Sequence, residues 1–197
     1  GVVVLERDLD RRLALAALDV DRAGVQRFHD GDLGTFGDPA GEPAGTVEQD
    51  QPRRALVVDR PITVREGDSS LTAVPSSSDG LVVTYNLDYG ADAAIGRQSL
   101  FLEVNPDSFR DELAACRTFL LDREAEALRQ AGVGRRTTAR DLLVFGPDGP
   151  IENTLRFPDE CARHKVLDMV GDLALLGMDL NGFVVAHRSG HHANASL

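Results

Sequence analysis

The residues best suited to chemistry fall in one run, Arg163-His164-Lys165-Val166-Leu167-Asp168-Met169-Val170-Gly171-Asp172, and in Ser189-Gly190-His191-His192 near the end of the chain. Residues four apart lie one above the other on a helix, so His164, Asp168 and Asp172 would form a single polar stripe. Around them Val166, Leu167, Met169, Val170, Leu173, Ala174 and Leu176 leave little surface for water. An imidazole and two carboxylates on a largely buried helix require partners, because unpaired buried charge is costly. A metal ion or a cleft would supply them. On a solvated helix face the same spacing would be an ordinary ion pair.

Zinc accepts imidazole nitrogen and carboxylate oxygen, and a catalytic zinc takes three protein ligands and keeps a fourth position for water. His164 and Asp168, one turn apart, could supply two of the three. Asp172, one turn further, would more naturally orient another group. His191 follows a strand and a Ser-Gly pair, where a turn could aim its imidazole into a cleft. With a pKa near neutrality it could serve as a general acid. A polar surface turn is the competing reading of His191-His192, and His187 reads as structural.

The elements that must carry these residues can be read from composition and periodicity. A chain of 197 residues with 42% hydrophobic residues can bury a sizeable core. Its formal net charge of -11, from 21 Lys and Arg against 32 Asp and Glu, argues against nucleic acid as a partner. An anionic ligand would have to meet a local patch. No stretch approaches the roughly 20 consecutive apolar residues of a spanning helix. Gly1-Val2-Val3-Val4-Leu5 runs into Glu6, Arg7 and Asp8 with no signal-peptide core. Stable membrane insertion and export are therefore not expected. Cys116 and Cys161 are far apart in helix-like sequence and read as buried thiols in a reducing compartment. The expectation is a cytoplasmic monomer.

Residues 1–52 hold a helical pattern at Leu9, Leu13, Ala16 and Ala17, then a Gly-, Asp- and Pro-rich stretch over 24–45 that cannot build a core alone. From Arg53 the pattern changes to strands at 55–58, 62–66, 70–74, 81–89 and 98–104, read as an antiparallel sheet. Asn105-Pro106-Asp107-Ser108 caps a helix running through Phe109, Leu113 and Cys116, and a second helical run covers 122–131. A short strand follows at 142–145, with residues 151–155 as its candidate partner. Pro158 opens the helix that bears the stripe, Gly177 ends it, and 183–187 form a last strand. The fold class expected is α+β, a two-layer sandwich of sheet and helices with a small insertion.

Several ordered motifs together resemble a known family. The stretch Leu155-Arg156-Phe157-Pro158-Asp159-Glu160-Cys161-Ala162-Arg163-His164-Lys165-Val166-Leu167-Asp168, with Gly171-Asp172-Leu173, Ser189-Gly190-His191, Asn194 and Arg117-Thr118-Phe119, is similar to the zinc-dependent UDP-3-O-acyl-N-acetylglucosamine deacetylase of lipid A biosynthesis. The resemblance covers about residues 53–197, which would be the second deacetylase domain, with 1–52 a partial or degenerate first domain. It implies Zn2+ bound by His164 and Asp168, His191 as the acid that protonates the leaving amine, and Asp172 holding its imidazole. It implies Thr118 as an oxyanion donor. Phe119, Lys165 and Arg188 would contact the substrate, UDP-3-O-acyl-N-acetylglucosamine. Residues 134–153 would be the βαβ insertion that forms an acyl-chain passage.

The sequence departs from the family in its first part. The third zinc ligand and general base of the family come from a Glu-His pair in a Thr-x-Glu-His motif ahead of a Leu/Ala-rich helix. Here Arg11-Arg12 precedes Leu13-Ala14-Leu15-Ala16-Ala17-Leu18, and Thr46-Val47-Glu48-Gln49 has Gln for His. His29, in His29-Asp30-Gly31-Asp32, matches no metal position. The chain is thus expected to be either a partial sequence or a diverged relative, weakly active or inactive as it stands. The alternative function is a non-catalytic relative that binds a nucleotide-sugar or an acyl chain.

Overall fold

Alternating apolar and polar residues build a sheet whose inner face takes the helices. The computed structural model describes residues 54–134, 137–138 and 141–197. In chain order these form β1 (Ala55–Val57), β2 (Ile62–Glu66), β3 (Ser69–Val74), β4 (Leu81–Asp88) and β5 (Arg97–Val104). Then come α1 (Pro106–Ser108), a π-helical turn (Phe109–Leu113), β6 (Phe119–Leu121), α2 (Asp122–Gln130), β7 (Leu143–Gly146) and β8 (Gly149–Pro150). The long helix α3 (Glu160–Ala174), β9 (Asp179–His187) and α4 (His191–Ser196) complete it. The readings made for Leu9 to Ala17, Arg11-Arg12, His29 and Thr46 to Gln49 lie outside the described residues.

The main sheet has the order β2-β3-β9-β4-β5, with β1 also on β9. Its inner face contributes Leu71, Ala73, Val83, Tyr85, Val184 and Ala186, all buried, against Cys161, Ala162, Val166 and Met169 of α3. This is the expected α+β arrangement of sheet packed on helices. The purely antiparallel reading needs correction. β9 runs parallel to β4 and to β1, and antiparallel to β3. Parallel neighbours need a long crossover, and everything from β5 to α3 supplies it between β4 and β9. At Gly182 a Cβ would lie 2.6 Å from Val58 Cγ2, so only glycine lets the Val58 side chain sit against β9.

Other boundaries move for local reasons. The helical reading from Phe109 is a single capped turn, with Asn105 Oδ1 accepting from Asp107 and Ser108 N–H, that continues as the π-helical turn to Leu113. The βαβ element expected over 134–153 begins earlier. β6 and β7 pair in parallel across α2, from Phe119↔Leu143 to Leu121↔Phe145, so most of the element precedes Gly134. β7 pairs with Gly149-Pro150 rather than with a strand at 151–155. The last strand starts at Asp179, four residues before the expected 183.

The stripe-bearing helix has Asp159 as its N-cap and ends where Gly177 takes a φ of 66°. Its core face is Cys161, Ala162, Val166, Met169 and Leu173. The burial expected of Ala174 and Leu176 fails: Ala174, the last residue of the helix, and Leu175 and Leu176 beyond it are exposed.

Candidate active site

The i, i+4 spacing of α3 does bring His164, Asp168 and Asp172 onto one face, and the connection from β9 to α4 adds His191 to them. His164 Nε2 lies 3.3 Å from Asp168 Oδ1. The other oxygen of Asp168 accepts from Lys165 Nζ at 2.8 Å. His191 is the first residue of α4, after an extended Gly190, rather than part of an open turn. Its Nδ1 lies 2.9 and 3.0 Å from the two Asp172 oxygens. Hydrogen bonding at Nδ1 assigns that proton and leaves Nε2 as the exchangeable position. Nε2 is 3.9 Å from Asp168 Oδ2, so it points back toward the His164 and Asp168 pair.

Charge is distributed unevenly over the cluster. Burial works against ionising Asp168, but the neighbouring Lys165, His164 and His191 more than offset it and hold the carboxyl below its ordinary range. The hydrogen bond to Asp172 raises the His191 pKa, against an opposing effect of burial.

Two ligands of a tetrahedral zinc at about 2.0–2.2 Å stand about 3.3–3.5 Å apart, and His164 Nε2 and Asp168 Oδ1 meet that separation. The same distance is long for a direct N–H···O bond. These two side chains therefore fit zinc. Among the described residues no group of three or more His, Cys, Asp or Glu is gathered that could hold a metal ion.

Phe119 is buried, its ring edge-on to His164 at 6.0 Å, to Tyr89 at 5.9 Å and to Phe145 at 6.5 Å. Thr118, half-buried, immediately precedes it, and the Thr118 carbonyl accepts from Leu143 N–H at 2.8 Å. Arg188 is bonded on the side of the β2–β3 turn. It has a φ of 52°, its carbonyl accepts from Ser69 Oγ, and its guanidinium lies 3.9 Å from Asp68 beside the β2–β3 turn. His192 is exposed and pairs with Glu66 at 2.8 Å.

A family model, LpxC: UDP-3-O-acyl N-acetylglycosamine deacetylase, matches residues 35–197. The chain belongs to this deacetylase family.

The chain is 39% identical over 160 residues to the UDP-3-O-acyl-N-acetylglucosamine deacetylase of Anaeromyxobacter sp. (strain Fw109-5), a match covering 78% of this chain and 50% of that relative. It is 39% identical over 155 residues to the deacetylase of the same name from Solibacter usitatus (strain Ellin6076), covering 78% and 51%. The figures for the Chlamydia trachomatis serovar L2 protein are 38% over 155 residues, 78% and 54%. The chain thus spans about half the length of the curated relatives it matches. The family match starts at residue 35, upstream of the expected start at Arg53.

Three further contacts go beyond what the sequence predicts. Asn194 Nδ2 donates to Asp172 Oδ2 at 2.8 Å, steadying the carboxylate that holds His191. The Tyr85 hydroxyl donates to the Ser189 carbonyl at 2.5 Å, next to the start of α4. Arg117 and Glu160 form a buried ion pair. The alternation of β4 placed Tyr85 on the inner face, which was a usable signal. The other two partners are remote in sequence and carry no local pattern.

Proposed function

We propose that this chain is the zinc-bearing half of a deacetylase that hydrolyses the acetamide of UDP-3-O-acyl-N-acetylglucosamine, releasing acetate, in lipid A biosynthesis. The single observation that carries the proposal is the Asp172 to His191 Nδ1 contact, which turns Nε2 toward Asp168. His164 and Asp168 would hold Zn2+. When bound, zinc polarises a carbonyl and lowers the pKa of water to about 7.

The protein's own groups then divide the work. His191 donates its Nε2 proton to the departing amine nitrogen, while Asp172 keeps the Nδ1 proton in place and stabilises the imidazolium. Asn194 holds Asp172 in turn. The Thr118 hydroxyl donates to the oxygen on which negative charge develops. Lys165, beside Asp168, and Arg188, toward the rim, meet the diphosphate, and Phe119 lines the apolar side. Residues 53–197 would be the second domain, with the β6-α2-β7 unit and the residues following it forming the acyl-chain passage, and 1–52 part of a first domain. A cytoplasmic monomer is the state that goes with this reading. Among the described residues no helix is long and apolar enough to cross a membrane.

Activity of the chain as it stands is expected to be weak, since Arg11-Arg12 occupies the place of the family's Glu-His pair. The same observation favours a second reading, a relative that binds the nucleotide-sugar or the acyl chain without hydrolysis. Calorimetry with and without chelator, alongside acetate assay, separates the two. Zinc-dependent acetate release supports the first reading, and chelator-insensitive binding with no acetate supports the second.

A further inference from the structure

Arg117 and Glu160 form the most deeply buried ion pair among the described residues, and the chemistry above makes no use of it. Glu160 accepts from Arg117 Nε at 2.9 Å, Arg117 Nη2 at 3.0 Å, the Arg117 backbone N–H at 3.1 Å and the Arg156 backbone N–H at 2.6 Å. Arg117 also donates to Asn153 Oδ1 at 2.8 Å and to the Thr154 carbonyl at 2.7 Å. One guanidinium therefore ties the approach to β6, the loop before α3 and the first turn of α3.

The position of this pair matters. Glu160 lies four residues before His164, so the polar stripe of α3 is Glu160, His164, Asp168 and Asp172. Arg117 immediately precedes Thr118 and Phe119, and the Phe119 ring stands against His164. We infer that Arg117 and Glu160 are positioning residues, which lock the start of β6 to the first turn of α3 and so set Thr118 and Phe119 against His164. The catalytic consequence rests on the deacetylase reading. A planar two-pronged guanidinium fixes rotation as well as distance, which an apolar contact does not. Stability alone does not demand it, because a buried ion pair exchanged for apolar residues of similar volume often leaves a protein as stable.

The test uses the full chain with two variants, Arg117→Met/Glu160→Leu, which removes both charges, and Arg117→Lys, which keeps the charge but loses the fork. Nuclear magnetic resonance follows the Phe119 to His164 ring contact and the His164 ring-proton shifts, and thermal melting follows stability. The expected result is a cooperatively folded double variant with a weakened ring contact and shifted His164 protons, and a similar change in Arg117→Lys. On the zinc-loaded chain, turnover falls about a hundredfold, the scale of a 1 Å misplacement. An unchanged ring contact in a folded double variant overturns the inference. Loss of the fold in both variants overturns it too, since the pair would then be structural only. The resonance measurement needs no substrate, so a wild-type chain that releases no acetate counts against the deacetylase reading alone.

Discussion

Both oxygens of Asp172 lie within 3.0 Å of His191 Nδ1, so one carboxylate fixes the protonation and the direction of the imidazole. Asp172→Asn offers a neutral amide in its place and favours the wrong tautomer. Turnover in an acetate-release assay should fall by a factor of about 100 to 10,000, the range of general acid-base catalysis. Because Asp172 sits behind the ring, KM and the melting temperature should change little. A loss confined to KM would contradict the role.

Zinc should leave with its ligands. Metal analysis of the purified chain is expected to show less bound zinc in His164→Ala and in Asp168→Ala, with His191→Ala close to wild type. Equal zinc in all three variants would place the metal elsewhere.

Glu160 links stability to pH. Burial opposes its ionisation, but the Arg117 side chain and the Arg156 and Arg117 backbone N–H groups prevail and hold its carboxyl below the ordinary range. Unfolded chain therefore binds a proton at higher pH than folded chain does. The stabilisation is present above the ordinary Glu value of about 4.3 and is lost as pH falls through the lower folded value. Glu160→Gln should flatten this acid limb in urea titrations. At pH 7 it should destabilise by about 3–5 kcal/mol, because Arg117 stays buried without its counter-charge.

Close contact at Gly182 predicts a coupled pair. Gly182→Ala puts a methyl 2.6 Å from Val58 Cγ2, and overpacking of that kind costs about 1–3 kcal/mol. Val58→Ala in the same chain should recover part of the loss in thermal unfolding. Strict additivity of the two substitutions would show that the contact is not tight.

Much of this was legible from local pattern. Alternation located β2 to β5, and the four-residue spacing of His164, Asp168 and Asp172 put them on one face of α3. Pairing between remote strands was not legible. The parallel registers of β4 and β1 on β9 join segments roughly a hundred residues apart, and period-two patterning is the same for either direction. β6 is only three residues long, too short to announce itself, which put the start of the βαβ unit too late. Phe109 to Cys116 has apolar spacing that suits an α-helix, yet a π-helical turn satisfies it. The partners of Arg117 and Asp172 lie 43 and 22 residues away and leave no periodic signal.

The most direct measurement is acetate release from UDP-3-O-acyl-N-acetylglucosamine by the zinc-loaded chain, wild type beside His191→Ala. Slow release by wild type, falling about a hundredfold or more in the variant while zinc content is retained, is the predicted result. Equal release by the two chains, or none from the zinc-loaded wild type, would contradict the account.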